Sequence, residues 1–307
     1  MSYLLIGNIS ALICDDCIEP LANTRIRVYL PDTRYPADRQ AVATGMFNDL
    51  RPLSAKEVLM KADRLLAEAT LDSHGNFTLA WEEVHLFTEP LDLDLCLDRM
   101  PGDNASHQPR NYHLSKVVPH WKRNNKGYVG AYAYVIPSAS WNTICGNAGA
   151  WVITGMVKHQ YASSGQPRLK VEAYNALSGQ MIGHAFTNES GRYTMHFSRK
   201  NLYNGGLQLL KTSRRNMGPD IYFKIYHNDQ LIWEEDEQDA TARERRDIAP
   251  CSCLDIDYKP SVVKKASGQL NEWLNEMISF RGNRRKKQDH LRMINPAKLM
   301  IKEFPCV

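Results

Sequence analysis

The 307-residue chain lacks most of the features that would assign a function quickly. No apolar run approaches the roughly 18–20 residues needed to cross a bilayer. The opening Met1–Gly7 has no basic region, and its apolar stretch ends after three residues, so it does not read as a signal peptide. Synthesis in the cytoplasm is therefore expected. The zinc-protease helix His-Glu-x-x-His, the P-loop, the Gly-x-Ser-x-Gly elbow and Gly-x-Gly-x-x-Gly are all missing. The ten histidines are scattered singly, which gives none of them a catalytic or metal-binding role. With 43% hydrophobic and 23% charged residues, the composition excludes disordered, collagenous and disulfide-scaffold classes.

A large excess of one charge is also missing, since Lys+Arg 38 against Asp+Glu 34 leaves only +4. The distribution is uneven. Residues 259–307 hold 11 basic and 4 acidic residues, a net of +7, while the first 258 residues carry 27 and 30. A mildly acidic body thus bears a basic tail, and no nucleic-acid partner is expected from the whole-chain charge.

What is present is a repeat. Gly7 opens an alternating stretch, a polar turn with Pro20 follows, and a second stretch ends at Tyr29. Gly155, Pro167 and Tyr174 mark the same sequence of events. Asp72-Ser-His-Gly75-Asn-Phe77 then matches Asn188-Glu-Ser-Gly191-Arg-Tyr193, each an Asx turn leading into a strand opened by an aromatic residue. Leu91–Asp98 and Asp220–Tyr226 follow as alternating strands, and Tyr128–Ile136 and Cys253–Tyr258 close the copies. Short alternating strands with Gly, Asn and Pro turns predict β-sandwiches.

The glycine offsets are 148 residues for Gly7/Gly155 and 116 for Gly75/Gly191, so the first copy carries about 32 extra residues within Asp32–Ala67. Ser54 and Glu57 form a capping box there, and Val58, Leu59, Ala62, Leu65 and Leu66 recur at helical spacing. They predict a helix packed on the sandwich. Asp92, Asp94 and Asp98 share one face of their strand, with Asp103 beyond. An exposed edge strand protected by charge is expected, with Ca²⁺ binding as the alternative.

These motifs, over about 7–99 and 151–258, resemble the carboxypeptidase regulatory-like, or transthyretin-like (prealbumin-like), domain. The resemblance implies an all-β chain of two seven-stranded, Ig-like β-sandwiches in tandem. The first would span 1–140 with a helical insertion at 32–67, the second 151–258, and 259–307 would form a C-terminal amphipathic helix and basic tail. It also implies structural or binding modules without an active site. Related enzymes with this topology do not fit. A hydroxyisourate-hydrolase-like chain would end Tyr-Arg-Gly-Ser, whereas this one ends Glu303-Phe-Pro-Cys-Val307. An intradiol-dioxygenase-like site would need a His-x-His strand, which His196 and His227 do not supply.

Seven cysteines without an export signal read as reduced thiols. Cys14-Asp-Asp-Cys17 is half of a tetrahedral zinc site, and Cys251-Ser-Cys253 could supply the other half. Packed free thiols are the default; a disulfide or redox link and a metal site are the alternatives. No other cofactor is implied.

In the tail, Leu270, Trp273, Leu274, Met277 and Ile278 form one helical stripe, followed by Arg281, Arg284, Arg285, Lys286 and Lys287. This segment folds back on a sandwich, docks on a protein subunit, or lies on an anionic surface. The expected function is a non-enzymatic scaffold or adaptor working through protein–protein contacts, with self-assembly open. By analogy with the family, it suits an accessory component of a bacterial multiprotein particle such as a contractile injection or toxin assembly. The alternative is a carbohydrate-type ligand module stacking sugars on Trp81, Trp121, Trp141 and Trp151.

Overall fold

Gly7 and Gly155 sit at the same structural position for the same reason. Each is paired across two antiparallel strands with the aromatic residue that follows the Asx turn, Gly7 with Phe77 and Gly155 with Tyr193. A Cβ at Gly7 would collide with the Tyr132 carbonyl and the Phe77 ring, and one at Gly155 with the Leu254 carbonyl. The computed structural model describes residues 2–31, 50–82, 90–100, 109–202, 218–235 and 242–259, all within one compact unit.

The strands are β1 (Tyr3–Cys14), β2 (Cys17–Pro20), β3 (Arg25–Tyr29), β4 (Arg51–Leu53), β5 (Leu65–Thr70), β6 (Asn76–Trp81), β7 (Leu91–Leu97), β8 (Arg110–Val117), β9 (Lys122–Asn124) and β10 (Gly127–Ile136). They continue as β11 (Ala150–His159), β12 (Lys170–Asn175), β13 (Met181–Phe186), β14 (Arg192–Ser198), β15 (Ile221–His227), β16 (Gln230–Glu234), β17 (Cys251–Cys253) and β18 (Ile256–Tyr258). Among the described residues three α-helices, α1 (Ala55–Lys61), α2 (Ser138–Ala148) and α3 (Arg199–Leu202), and one 3-10 turn (Ala62–Arg64) interrupt them.

The chain is mostly β and forms β-sandwiches with two hydrophobic cores. Sheets β2-β1-β10-β9 (with β6 on β1) and β4-β8-β7-β3-β5 enclose the first. Sheets β14-β11-β17 (with β18 on β11) and β13-β12-β15-β16 enclose the second. These are five strands facing five and four facing four among the described residues, not seven in each. The pairings nevertheless recur. β1 lies antiparallel to β6 and parallel to β10, as β11 lies antiparallel to β14 and parallel to β17 and β18. β3 lies between β5 and β7, as β12 lies between β13 and β15.

The repeated turn matches atom for atom. The Asp72 carboxylate accepts the backbone N–H groups of His74 and Asn76, and the Asn188 side-chain oxygen accepts those of Ser190 and Arg192. Gly75 and Gly191 follow at φ 74° and 77°, a left-handed backbone that glycine adopts without steric cost. The opposing strand donates from Ile9 to the Gly75 carbonyl, and from Val157 to the Gly191 carbonyl, both at 2.9 Å.

The copies diverge between their second and third common strands. In the second, β12 and β13 are joined by the short turn 176–180. In the first, the insertion carries α1, whose Ser54 and Glu57 make both hydrogen bonds of the expected capping box. The helix ends at Lys61, earlier than its apolar spacing predicts. Leu65 and Leu66 instead begin β5, because pairing with β3 satisfies their backbone and brings that sheet to full width. Leu59 and Met60 are exposed, and the residue that α1 buries is Lys61.

That lysine overturns the edge-strand expectation. β7 lies inside its sheet, between β3 and β8, and all seven of its residues are buried. Lys61 Nζ reaches Asp94 at 2.8 and 2.9 Å and Asp92 at 3.9 Å, while His113 Nδ1 lies 2.9 Å from Asp94. The aspartates are partners of a buried cation, not a guard against edge pairing. Asp98, just past β7, is held by Arg25 through two 2.6 Å hydrogen bonds.

The tryptophans proposed as a sugar platform are core residues. Trp81, Trp141 and Trp151 are at most 5% exposed, and Trp121 packs partly buried against Tyr3 and Trp81. No helix among the described residues is long and apolar enough to cross a membrane.

Candidate functional site

The β1–β2 hairpin of the first sandwich meets the β11/β14/β17 sheet of the second. Cys14 and Cys17 are cross-strand partners on either side of the Asp15-Asp16 turn, next to an irregularity in the β1–β2 pairing. Cys253 ends β17, paired with Thr154 of β11. The thiols of Cys14, Cys17 and Cys253 and a carboxylate oxygen of Asp16 all lie within 4.8 Å of one another. Cys14 Sγ is 3.9 Å from Asp16 Oδ1.

Arg192, which opens β14, closes the other side. Its Nη1 donates to Cys17 Sγ at 3.1 Å and its Nη2 to Asp16 Oδ2 at 2.9 Å. That guanidinium holds the Asp16 carboxyl below the usual carboxylate range. Cys17 Sγ also lies 3.7 Å from the Thr154 hydroxyl, which in turn donates to the Tyr193 carbonyl. Next along β2, Glu19 Oε1 pairs with Nε2 of His196 on β14. Asp16, Cys17, Glu19 and Arg192 line a cleft together with Ile13, Thr154 and Thr194.

Burial and the neighbouring thiols of Cys253 and Cys17 push the Cys14 thiol up, and burial raises Cys253 too.

Of the four cysteines expected to act together, the structure gathers three. Cys251 does not join them. Cys251 packs against the first core instead, beside the buried Cys145 of α2, whose thiol is raised by its hydrogen bond to Cys251 and by burial. The Cys251 backbone N–H donates to Asn142 of the same helix. The tail residues Leu270, Trp273, Leu274, Met277, Arg281, Arg284, Arg285, Lys286 and Lys287 lie outside the described residues.

Asp16, Thr154 and Arg192 escape sequence reasoning. Asp16 stands in plain view between the first two cysteines. Arg192 had a weaker signal: it follows the repeated turn where the first copy has Asn76, and it is there that the copies part chemically.

No protein-family model matches the chain, and no curated protein matches it. Among solved structures it is similar to the shaft pilin SpaA from Lactobacillus rhamnosus GG, at 9% identity over 86% of this chain and 99% of that one, with a TM-score of 0.27. The minor pilin of Streptococcus agalactiae matches at 9% identity, 84% and 95% coverage and a TM-score of 0.23. A 9R-lipoxygenase from Cyanothece matches at 13% identity over 44% of this chain and 16% of its own, with a TM-score of 0.22.

Proposed function

We propose that the chain is a non-catalytic adaptor of two transthyretin-like sandwiches that works by docking on protein subunits, as an accessory part of a multiprotein particle. The observation that carries this reading is the outer face of the sheet β13-β12-β15-β16. In the first sandwich, the corresponding face receives Lys61 from the insertion. The second sandwich has no such insertion, and its face and rim expose Phe186 (66%), Met181 (48%), Leu231 (43%) and Leu177 (74%).

Between these apolar groups, Lys170 pairs with Glu172 and Lys224 with Glu234, and Lys224 also lies over the Tyr174 ring. Aromatic and aliphatic groups interleaved with fixed charges suit a protein interface better than bulk solvent. Among the described residues β13 pairs only with β12, so its outer edge can accept a strand from a partner. The sugar-platform alternative loses its support with the burial of its tryptophans.

The test is native affinity purification of the full chain with quantitative mass spectrometry, alongside light scattering on the purified protein. A stoichiometric protein partner, or a defined homo-oligomer, is expected. Met181→Glu with Phe186→Glu should abolish that assembly while leaving the melting temperature unchanged. A lone monomer with no stoichiometric partner, or assembly indifferent to the double substitution, refutes the reading. Deleting 259–307 separates the two candidate contact regions: loss of assembly with an unaltered melting temperature moves the interface to the tail.

A further inference from the structure

We propose that Cys14, Cys17 and Cys253, with Asp16 as fourth ligand, bind one Zn²⁺ that staples the β1–β2 hairpin of the first sandwich to β17 of the second. This is a site of different composition from the four-cysteine set, because Cys251 is committed to Cys145 and α2.

The geometry fits with little movement. A tetrahedral ion with Zn–S of about 2.3 Å sets its sulfurs about 3.8 Å apart, and a carboxylate oxygen about 3.6 Å from each. The four donor atoms lie within 4.8 Å of one another, and Cys14 Sγ to Asp16 Oδ1 is 3.9 Å. Contraction of any donor pair by about 1 Å or less closes the shell, within reach of side-chain rotation in a hairpin turn whose Asp16 is exposed. Two independent parts of the chain supply the ligands, 236 residues apart between Cys17 and Cys253.

The chemistry fits as well. Three soft thiolates and one oxygen select Zn²⁺ over the hard cations Mg²⁺ and Ca²⁺. Binding follows three Cys–SH plus Zn²⁺ giving three Zn–S bonds and three released protons. Three thiolates and a carboxylate on a dication leave a net charge of −2. Arg192 is already placed to offset part of it, with one nitrogen on Cys17 Sγ and another on the Asp16 oxygen that faces away from Cys14. A donor that both orients a ligand and balances the complex is the outer-shell arrangement that metal centres need. With Arg192 holding the carboxylate, the fourth position is closed, and the site is structural rather than catalytic.

The test uses the full chain purified under reducing conditions with zinc supplied, then gel-filtered and assayed for metal. One equivalent per chain is expected, falling below a tenth in Cys253→Ser and in the Cys14→Ser/Cys17→Ser pair, and unchanged in Cys96→Ala. Arg192→Ala should keep the stoichiometry at saturating zinc but weaken affinity by about 10- to 100-fold. Cobalt in place of zinc should give a thiolate charge-transfer band of three-sulfur intensity and the strong d–d bands of a tetrahedral ion. Zinc should also protect Cys14, Cys17 and Cys253 from alkylation, read by peptide mass mapping, which reports on the site even where a serine variant folds poorly. Less than a tenth of an equivalent in the wild-type chain, absence of the cobalt bands, or a Cys14–Cys17 disulfide in the reduced preparation would each overturn the proposal.

Discussion

Asp98 shows how one side chain ties the first sandwich to pH. The two short hydrogen bonds from Arg25 hold its carboxyl below the usual carboxylate range. A depressed carboxylate contributes its stability above the unfolded value, near pH 4, and loses it as pH falls through the lower folded value. The pair is about one-third exposed, so the contribution is discounted for solvent screening. Asp98→Asn is expected to cost about 0.5–1 kcal/mol in urea unfolding at pH 7, with the difference from wild type shrinking once the pH is taken well below about 4. An equal difference at both pH values would place the effect in packing rather than charge. At this scale the sequence was partly legible. The alternation of β7 was visible, and so was the shared face of its aspartates. That the strand is internal and its aspartates covered was not, because Arg25 and Lys61 lie far away in sequence and single charges have no periodicity to betray a partner.

The insertion illustrates what an element adds. Its helix start was readable because a capping box is satisfied within four residues. Its end was not, since Leu65 and Leu66 have helical spacing but are captured by a strand 36 to 39 residues earlier, Leu65 pairing opposite Tyr29 and Ala67 opposite Val28. What α1 contributes is the docking of a cation onto β7. Asp92 and Asp94 are both buried, and Asp92 Oδ1 has no hydrogen-bond partner. Removing the cation strips two buried carboxylates of their shared ammonium and leaves Asp94 only His113, so Lys61→Ala is expected to destabilise by about 3–5 kcal/mol. Adding Asp94→Asn should recover part of that loss, because one buried charge then goes with the other. If chemical unfolding shows the double variant to be no better than Lys61→Ala alone, the ion pair is not what holds α1 in place.

For the molecule as a whole, the repeat could be read and the junction could not. Turns, strand openings and their order are local signals, and the duplication follows from them. The junction is built from pairs such as Asp16–Arg192, Glu19–His196 and Cys145–Cys251, each more than 100 residues apart. No periodicity links such residues. The hairpin and α2 thread contacts from each sandwich into the other, with Val152 of β11 lying in the first core. The two sandwiches are therefore expected to unfold together in one calorimetric transition. Glu19→Ala with Arg192→Ala should split it into two, and two resolved transitions in the wild type would mean that the junction couples them only weakly.

The parallel pairing of each sandwich's first and last strands has a mechanical consequence. Pulling the chain from its two ends drags β1 and β10 past one another along their length, so the nine residue pairs from Tyr3/Tyr128 to Ala11/Ile136 carry the load simultaneously. In the second sandwich the same duty falls on two three-residue ladders, β17 and β18 against β11, separated by Leu254 and Asp255. Such a break lets the ladders rupture one after the other. In single-molecule stretching the second sandwich should yield first and the first at the higher force, which makes the chain a tether with a built-in weak link.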